Sequence, residues 1–252
     1  PTKSSAASDV YKRQLQYYTK PKKLESNNNT SKNLFIENGY LKIQPIYRKD
    51  KSRISSGEDA YNFTSARINT KNLKSFSYPS KISICFKVPK GIGFWPAFWL
   101  MPNEDIRWPV GGEIDILENR GRISNISSSA LHFGKQWNKK STLVGEALIP
   151  RQVRFQDKFH SISLVWKENV IAFYLDNSSD PYFTINSNHP EFQKYKYPFN
   201  RDYYMILNVA VGGKYDDYWV DFDAFCNDEE CSNKEDPDSH RFIIDWIEYE
   251  RL

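Results

Sequence analysis

The chain has 252 residues, a formal net charge of +4 and 15% aromatic side chains. That length suits one all-β domain with a sizeable core, and the dispersed, modest charge argues against a nucleic-acid partner. No apolar run reaches the roughly 18 residues that a membrane-crossing helix needs, so no membrane partner is expected either.

From the N-terminus, Ser4 to Gln14 reads like a translated sequencing adapter. Residues 1–14 are therefore set outside the fold, and a single domain is expected over 15–252 with its own N-terminal segment missing. Leu34–Glu37 and Tyr40–Ile43 flank Asn38-Gly39, a strong signal for a two-residue hairpin. Strands are expected near 63–70, 82–88, 94–100, 113–118, 128–133 and 143–149. A second hairpin joins 159–166 to 170–175 through Lys167-Glu168-Asn169, and 203–211 reads as a buried strand. Long polar loops at 187–199 and 214–238 are expected to wall a cleft or carry a short helix. An alternating run from Arg241 closes the chain. Short strands at regular spacing predict a sandwich or jelly roll.

Cys226 and Cys231 lie close together in an acidic loop, where they can close a small disulfide in an oxidising compartment or, less well supported by neighbouring ligands, hold a metal. Cys85 falls in an alternating run and is expected in the core. Glycosylation sequons begin at Asn28, Asn29, Asn62, Asn125 and Asn177. With the cysteine pair they point to secretion.

The most informative segment is Gly112-Glu113-Ile114-Asp115-Ile116-Leu117-Glu118. On a strand, Glu113 and Asp115 share one face while Ile114 points to the other. Glu118 stands five positions from Glu113, so a regular strand turns it away. One extra residue, a β-bulge at Ile116-Leu117, returns it to the Glu113 face. Acids alternating with apolar residues are commonly just a solvated strand face. Three like charges crowded on one face, however, destabilise a sheet unless they are used. Sugar hydrolysis with retention uses two carboxyl groups about 5–5.5 Å apart.

Together with Trp95-Pro96-Ala97-Phe98-Trp99-Leu100 and Trp108-Pro109, this segment resembles glycoside hydrolase family 16 in its laminarinase-like (endo-β-1,3-glucanase) branch, whose signature is Glu-x-Asp-x-x-Glu. Leu15-Gln16-Tyr17-Tyr18-Thr19, Phe63-Thr64-Ser65-Ala66-Arg67-Ile68, Leu131-His132-Phe133-Gly134 and Leu207-Asn208-Val209-Ala210-Val211-Gly212-Gly213 follow the family's order. The resemblance implies a curved, concanavalin A-like β-jelly-roll sandwich with a concave cleft. It implies a polysaccharide substrate, cleaved by Glu113 as nucleophile and Glu118 as acid/base, with Asp115 between them.

It further implies substrate contacts from Trp95, Trp99, Trp108, Arg67, Trp137 and Asn208, and a supporting or substrate-contact role for His132 near the acid/base. No cofactor is implied for catalysis. A structural calcium is implied on a Gly39 carbonyl and Asp245, and a monomer is expected. A non-catalytic β-1,3-glucan-binding protein, or a same-fold hydrolase or transglycosylase acting on agarose or carrageenan, is the alternative. Gly212-Gly213 is read as a turn, since no Lys-Ser/Thr follows it.

Overall fold

A computed structural model describes residues 14–19, 32–48, 62–227, 231 and 235–252. Residues 1–13 and the sequons at Asn28 and Asn29 lie outside the described residues. In chain order the strands are β1 (Gln16–Tyr18), β2 (Leu34–Glu37), β3 (Tyr40–Ile43), β4 (Ile46–Tyr47), β5 (Phe63–Ser65), β6 (Arg67–Asn69), β7 (Ser80–Lys87), β8 (Phe94–Pro102) and β9 (Glu113–Glu118). They continue with β10 (Ile126–Gln136), β11 (Lys139–Leu148), β12 (His160–Lys167), β13 (Val170–Leu175), β14 (Phe183–Asn186), β15 (Tyr203–Val211), β16 (Cys226–Asn227) and β17 (Phe242–Arg251). Among the described residues, one short helix, α1 (Glu191–Lys194), and 3-10 turns at Lys214–Asp216, Phe222–Ala224 and Pro237–His240 lie in or beside the two long loops.

The first hairpin forms for the reason its sequence gives. Asn38 and Gly39 take φ of 52° and 84°, the positive values that a type I′ turn demands and that Asn and Gly tolerate best. The strands assemble into two large antiparallel sheets. The cleft sheet runs β11-β10-β9-β8-β15-β6 and the outer sheet β14-β13-β12-β7-β17-β3-β2. A smaller sheet, β1-β5-β4-β16, closes one side and includes two parallel pairs, β1 with β5 and β4 with β16. The expected single strand over 63–70 is two strands. Ala66 is the point where the chain leaves β5 in the small sheet and enters β6, which pairs with β15 in the cleft sheet.

Alternation builds the core. Phe98, Leu100, Ile114, Ile116 and Leu117 of the cleft sheet meet Ile82, Ile84, Phe86, Leu164 and Phe173 of the outer sheet, all fully buried in one cluster. Each such side chain contributes about 1.5–3 kcal/mol on leaving water. The residues between them on β8, Trp95, Ala97 and Trp99, point the other way and line the cleft. The fold is a β-jelly-roll sandwich. Among the described residues, no helix is long and apolar enough to cross a membrane. Cys226 and Cys231 are disulfide-bonded and pack with Ile46, and Cys85 is a buried free thiol.

Candidate active site

The bulge expected at Ile116-Leu117 is present. Against β8, Asp115 pairs with Trp99 and Leu117 with Phe98, so Ile116 has no partner of its own. Against β10, two steps from Ala130 to Ser128 span three from Asp115 to Glu118. Ile116 and Leu117 therefore both turn to the core, at 0% exposure, and Glu118 rejoins Glu113 and Asp115 on the opposite face. The carbonyl that the bulge removes from the ladder is satisfied elsewhere. Ser129 Oγ donates to Ile116 O at 2.6 Å and is itself 2.6 Å from the Tyr182 hydroxyl. A buried carbonyl so paired stabilises an irregularity that would otherwise slip.

The three carboxyl groups are nearly sheltered from water and each has a dedicated neighbour. Trp108 Nε1–H donates to Glu113 Oε2 at 2.7 Å. Trp95 Nε1–H donates to Glu118 Oε1 at 2.9 Å. His132 Nε2 lies 3.0 Å from Asp115 Oδ2, and its Nδ1 lies 2.8 Å from Thr142 Oγ1. Burial lowers the His132 pKa, but the Asp115 hydrogen bond and the charges of Asp115, Glu113 and Glu118 outweigh it, so the imidazolium is favoured above its ordinary range. The resemblance implied a His beside the acid/base. The register sets His132 across from Glu113 with its ring against Asp115, close enough to Glu118 to feel its charge.

Of the remaining expected contacts, Trp99, Asn208 and Arg67 line the cleft with the acids, and Trp137 stands beside Trp108. Trp99 Nε1–H donates to Asn208 Oδ1 at 2.7 Å, and Asn208 Nδ2–H donates to the Tyr18 hydroxyl at 3.1 Å. The Arg67 guanidinium lies 4.8 Å from the Trp99 ring centre. Trp137, half exposed in the β10–β11 turn, lies 5.1 Å from the Trp108 ring, and Lys140 lies over both indoles. Tyr18, Arg67, Trp95, Trp99, Asn208 and the three acids line one cleft, and Gln14, expected to lie outside the fold, reaches it as well. Tyr18 carried a signal in the Leu15–Thr19 resemblance. Tyr215, which stacks on Trp95 at 4.8 Å and 20°, carried none, because it sits in a polar loop with no strand pattern.

Among the described residues, one group could hold a metal: Glu113, Asp115 and His132, with ligand atoms within 4.8 Å of one another. The pair expected for calcium lies elsewhere. Gly39 is at the exposed tip of the β2–β3 hairpin, and exposed Asp245 follows Ile244, which pairs with Leu41 of β3.

A β-sandwich presenting indole-held carboxyl groups in an aromatic cleft has the parts that retaining sugar hydrolysis uses. The chain belongs to the glycosyl hydrolases of family 16, whose family model matches residues 12–224. It is 32% identical over 213 residues to the glucan endo-1,3-beta-glucosidase A1 of Niallia circulans, covering 81% of this chain and 29% of that protein. It is also 32% identical over 185 residues to the beta-1,3-glucan-binding protein of Penaeus monodon, covering 64% of this chain and 50% of that one. The chain therefore spans half or less of these relatives' own lengths. Among solved structures, the endo-beta-1,3-glucanase of Pyrococcus furiosus superposes with a TM-score of 0.77 at 26% identity, covering 98% of this chain and 84% of that one.

Proposed function

We propose that the chain is an endo-acting, retaining glycosidase that hydrolyses β-1,3-glucan or mixed β-1,3/1,4-glucan. The observation that carries this reading is the bulged β9, which brings Glu113, Asp115 and Glu118 to one face of a cleft lined by indoles. Glu113 attacks the anomeric carbon while Glu118 protonates the departing glycosidic oxygen. Once Glu113 is a neutral ester, Glu118 has lost a neighbouring charge and ionises more readily. It then takes a proton from the water that cleaves the ester. Asp115, paired with His132, supplies a fixed negative charge beside the developing oxocarbenium ion. Trp108 and Trp137 offer ring faces to the sugar, and Arg67 offers donors to its hydroxyls.

The kinship with a glucan-binding protein supports a second reading, a recognition protein without turnover. The presence of both glutamates, each held by an indole N–H, favours the enzyme. The test is reducing-sugar release from laminarin, with lichenan and agarose alongside. Release from laminarin is expected, with Glu113→Gln abolishing it at unchanged melting temperature. Laminarin binding without release by the wild-type protein would establish the recognition reading instead. We also propose secretion, which the Cys226–Cys231 disulfide supports as a feature of oxidising compartments.

A further inference from the structure

Glu118 is held twice, at its side chain and at its main chain. Trp95 donates to the carboxyl, and the Tyr215 hydroxyl donates to the Glu118 carbonyl oxygen at 3.2 Å. The two holders touch each other as a near-parallel ring stack. Arg120, two residues after Glu118, lies over the Tyr215 ring at 4.1 Å and donates from Nε to the Tyr215 carbonyl at 2.9 Å. The next residue on, Asp216, is 1% exposed and accepts Arg122 at 2.8 Å, with Arg120 at 3.6 Å. The Lys214–Asp216 turn is thereby clasped to the segment that leaves β9, and the clasp ends on the Trp95 indole. A guanidinium over an aromatic ring, itself stacked on an indole, fixes the plane of each partner.

We propose that Tyr215 and Arg120 are positioning residues for Glu118: by fixing the Trp95 ring plane and the Glu118 main chain, they aim the carboxyl at the glycosidic oxygen. This rests on the reading of Glu118 as the acid/base. The required precision is high, because displacements of about 1 Å at a reacting group can cost on the order of 100-fold in rate. Burial, reinforced by the Glu118 charge, holds the Tyr215 hydroxyl protonated well above its ordinary range, so it remains a donor wherever the enzyme works.

The role belongs to leaving-group protonation, and leaving groups differ in how much they need it. Laminarin departs as a sugar alkoxide and needs a proton. A dinitrophenyl β-laminaribioside departs as a stable phenolate and does not. Tyr215→Ala is expected to lower kcat/KM on laminarin by about 10- to 100-fold, part of the 10²–10⁴ that a positioned general acid supplies. On the dinitrophenyl substrate kcat/KM, which reports only the step that forms the Glu113 ester, should fall much less, while kcat falls with the water-activating role of Glu118. Tyr215→Phe keeps the ring stack but loses the donor to the Glu118 carbonyl, so its laminarin rate should fall between wild type and Tyr215→Ala, and Arg120→Ala should follow Tyr215→Ala in pattern. If Tyr215→Ala fails to fold, Tyr215→Leu and Arg120→Gln carry the same comparison.

Equal losses of kcat/KM on both substrates would overturn the proposal in favour of a purely structural role. Unchanged laminarin turnover in these variants would overturn it as well. A wild-type protein that turns over neither substrate would sink the glucanase reading and this proposal together, whereas indifferent variants of an active wild type sink this proposal alone.

Discussion

His132 shows how one side chain couples the cleft to pH. Its ring faces Asp115 at 3.0 Å and Thr142 at 2.8 Å, with the Trp108 ring 6.5 Å away and Glu113 and Glu118 adding their charges. The net effect is a folded-state pKa above the unfolded value, despite burial working against it. A raised histidine pKa adds stability that is fully present below the unfolded pKa and is lost as pH rises through the folded one. Urea denaturation of wild type and His132→Gln at about pH 5 and about pH 9 should therefore show a larger stability gap at the acidic value. A gap that widens toward alkali would contradict the ion pair drawn between His132 and Asp115.

At the scale of the element, β9 carries the three carboxyl groups and its bulge sets their spacing. The bulge survives because a neighbouring strand takes its orphaned carbonyl through Ser129, a residue with 0% exposure. Ser129→Ala leaves that carbonyl and the Tyr182 hydroxyl without this partner, at a cost of about 1–3 kcal/mol. Equilibrium unfolding should show that loss. Laminarin turnover should fall with it, since a loosened bulge no longer returns Glu118 to the Glu113 face. A stable Ser129→Ala protein with full activity would mean that the bulge is fixed by packing of Ile116 and Leu117 alone. The bulge was legible in the sequence because three acids at positions 113, 115 and 118 make sense on one face only if a residue is skipped. The Ser129 contact was not legible, since a serine in a strand has many possible partners and only the register selects one.

For the whole molecule, the two large sheets were readable from alternation, while the small sheet was not. Its strands are two or three residues long, too short for a period to show, and two of its pairings are parallel contacts between distant segments. Yet that sheet completes the cleft. Leu15 N–H donates to Val211 O at 3.0 Å and the Gln16 side chain accepts from Val211 N–H at 2.7 Å. Tyr18 then reaches Asn208, which holds Trp99, over which Arg67 lies. Of the candidate site, the acids and the strand tryptophans were legible because they sit in periodic segments. Tyr215 and its arginine clasp were not, because loops leave no period to read.

The groups that hold Glu113 and Glu118 are both indoles. An indole N–H only donates, carries no charge and does not titrate in water. Dissolved ions therefore have little to screen between the working carboxyl groups and these two holders, and a neutral glucan brings no charge of its own. Turnover of laminarin should stay nearly flat from dilute buffer to about 1 M sodium chloride, where the screening length has shrunk to roughly 3 Å. A steep fall across that range would reveal a long-range electrostatic contribution to substrate capture. A flat response would mark a hydrolase whose local architecture equips it for brine as readily as for fresh water.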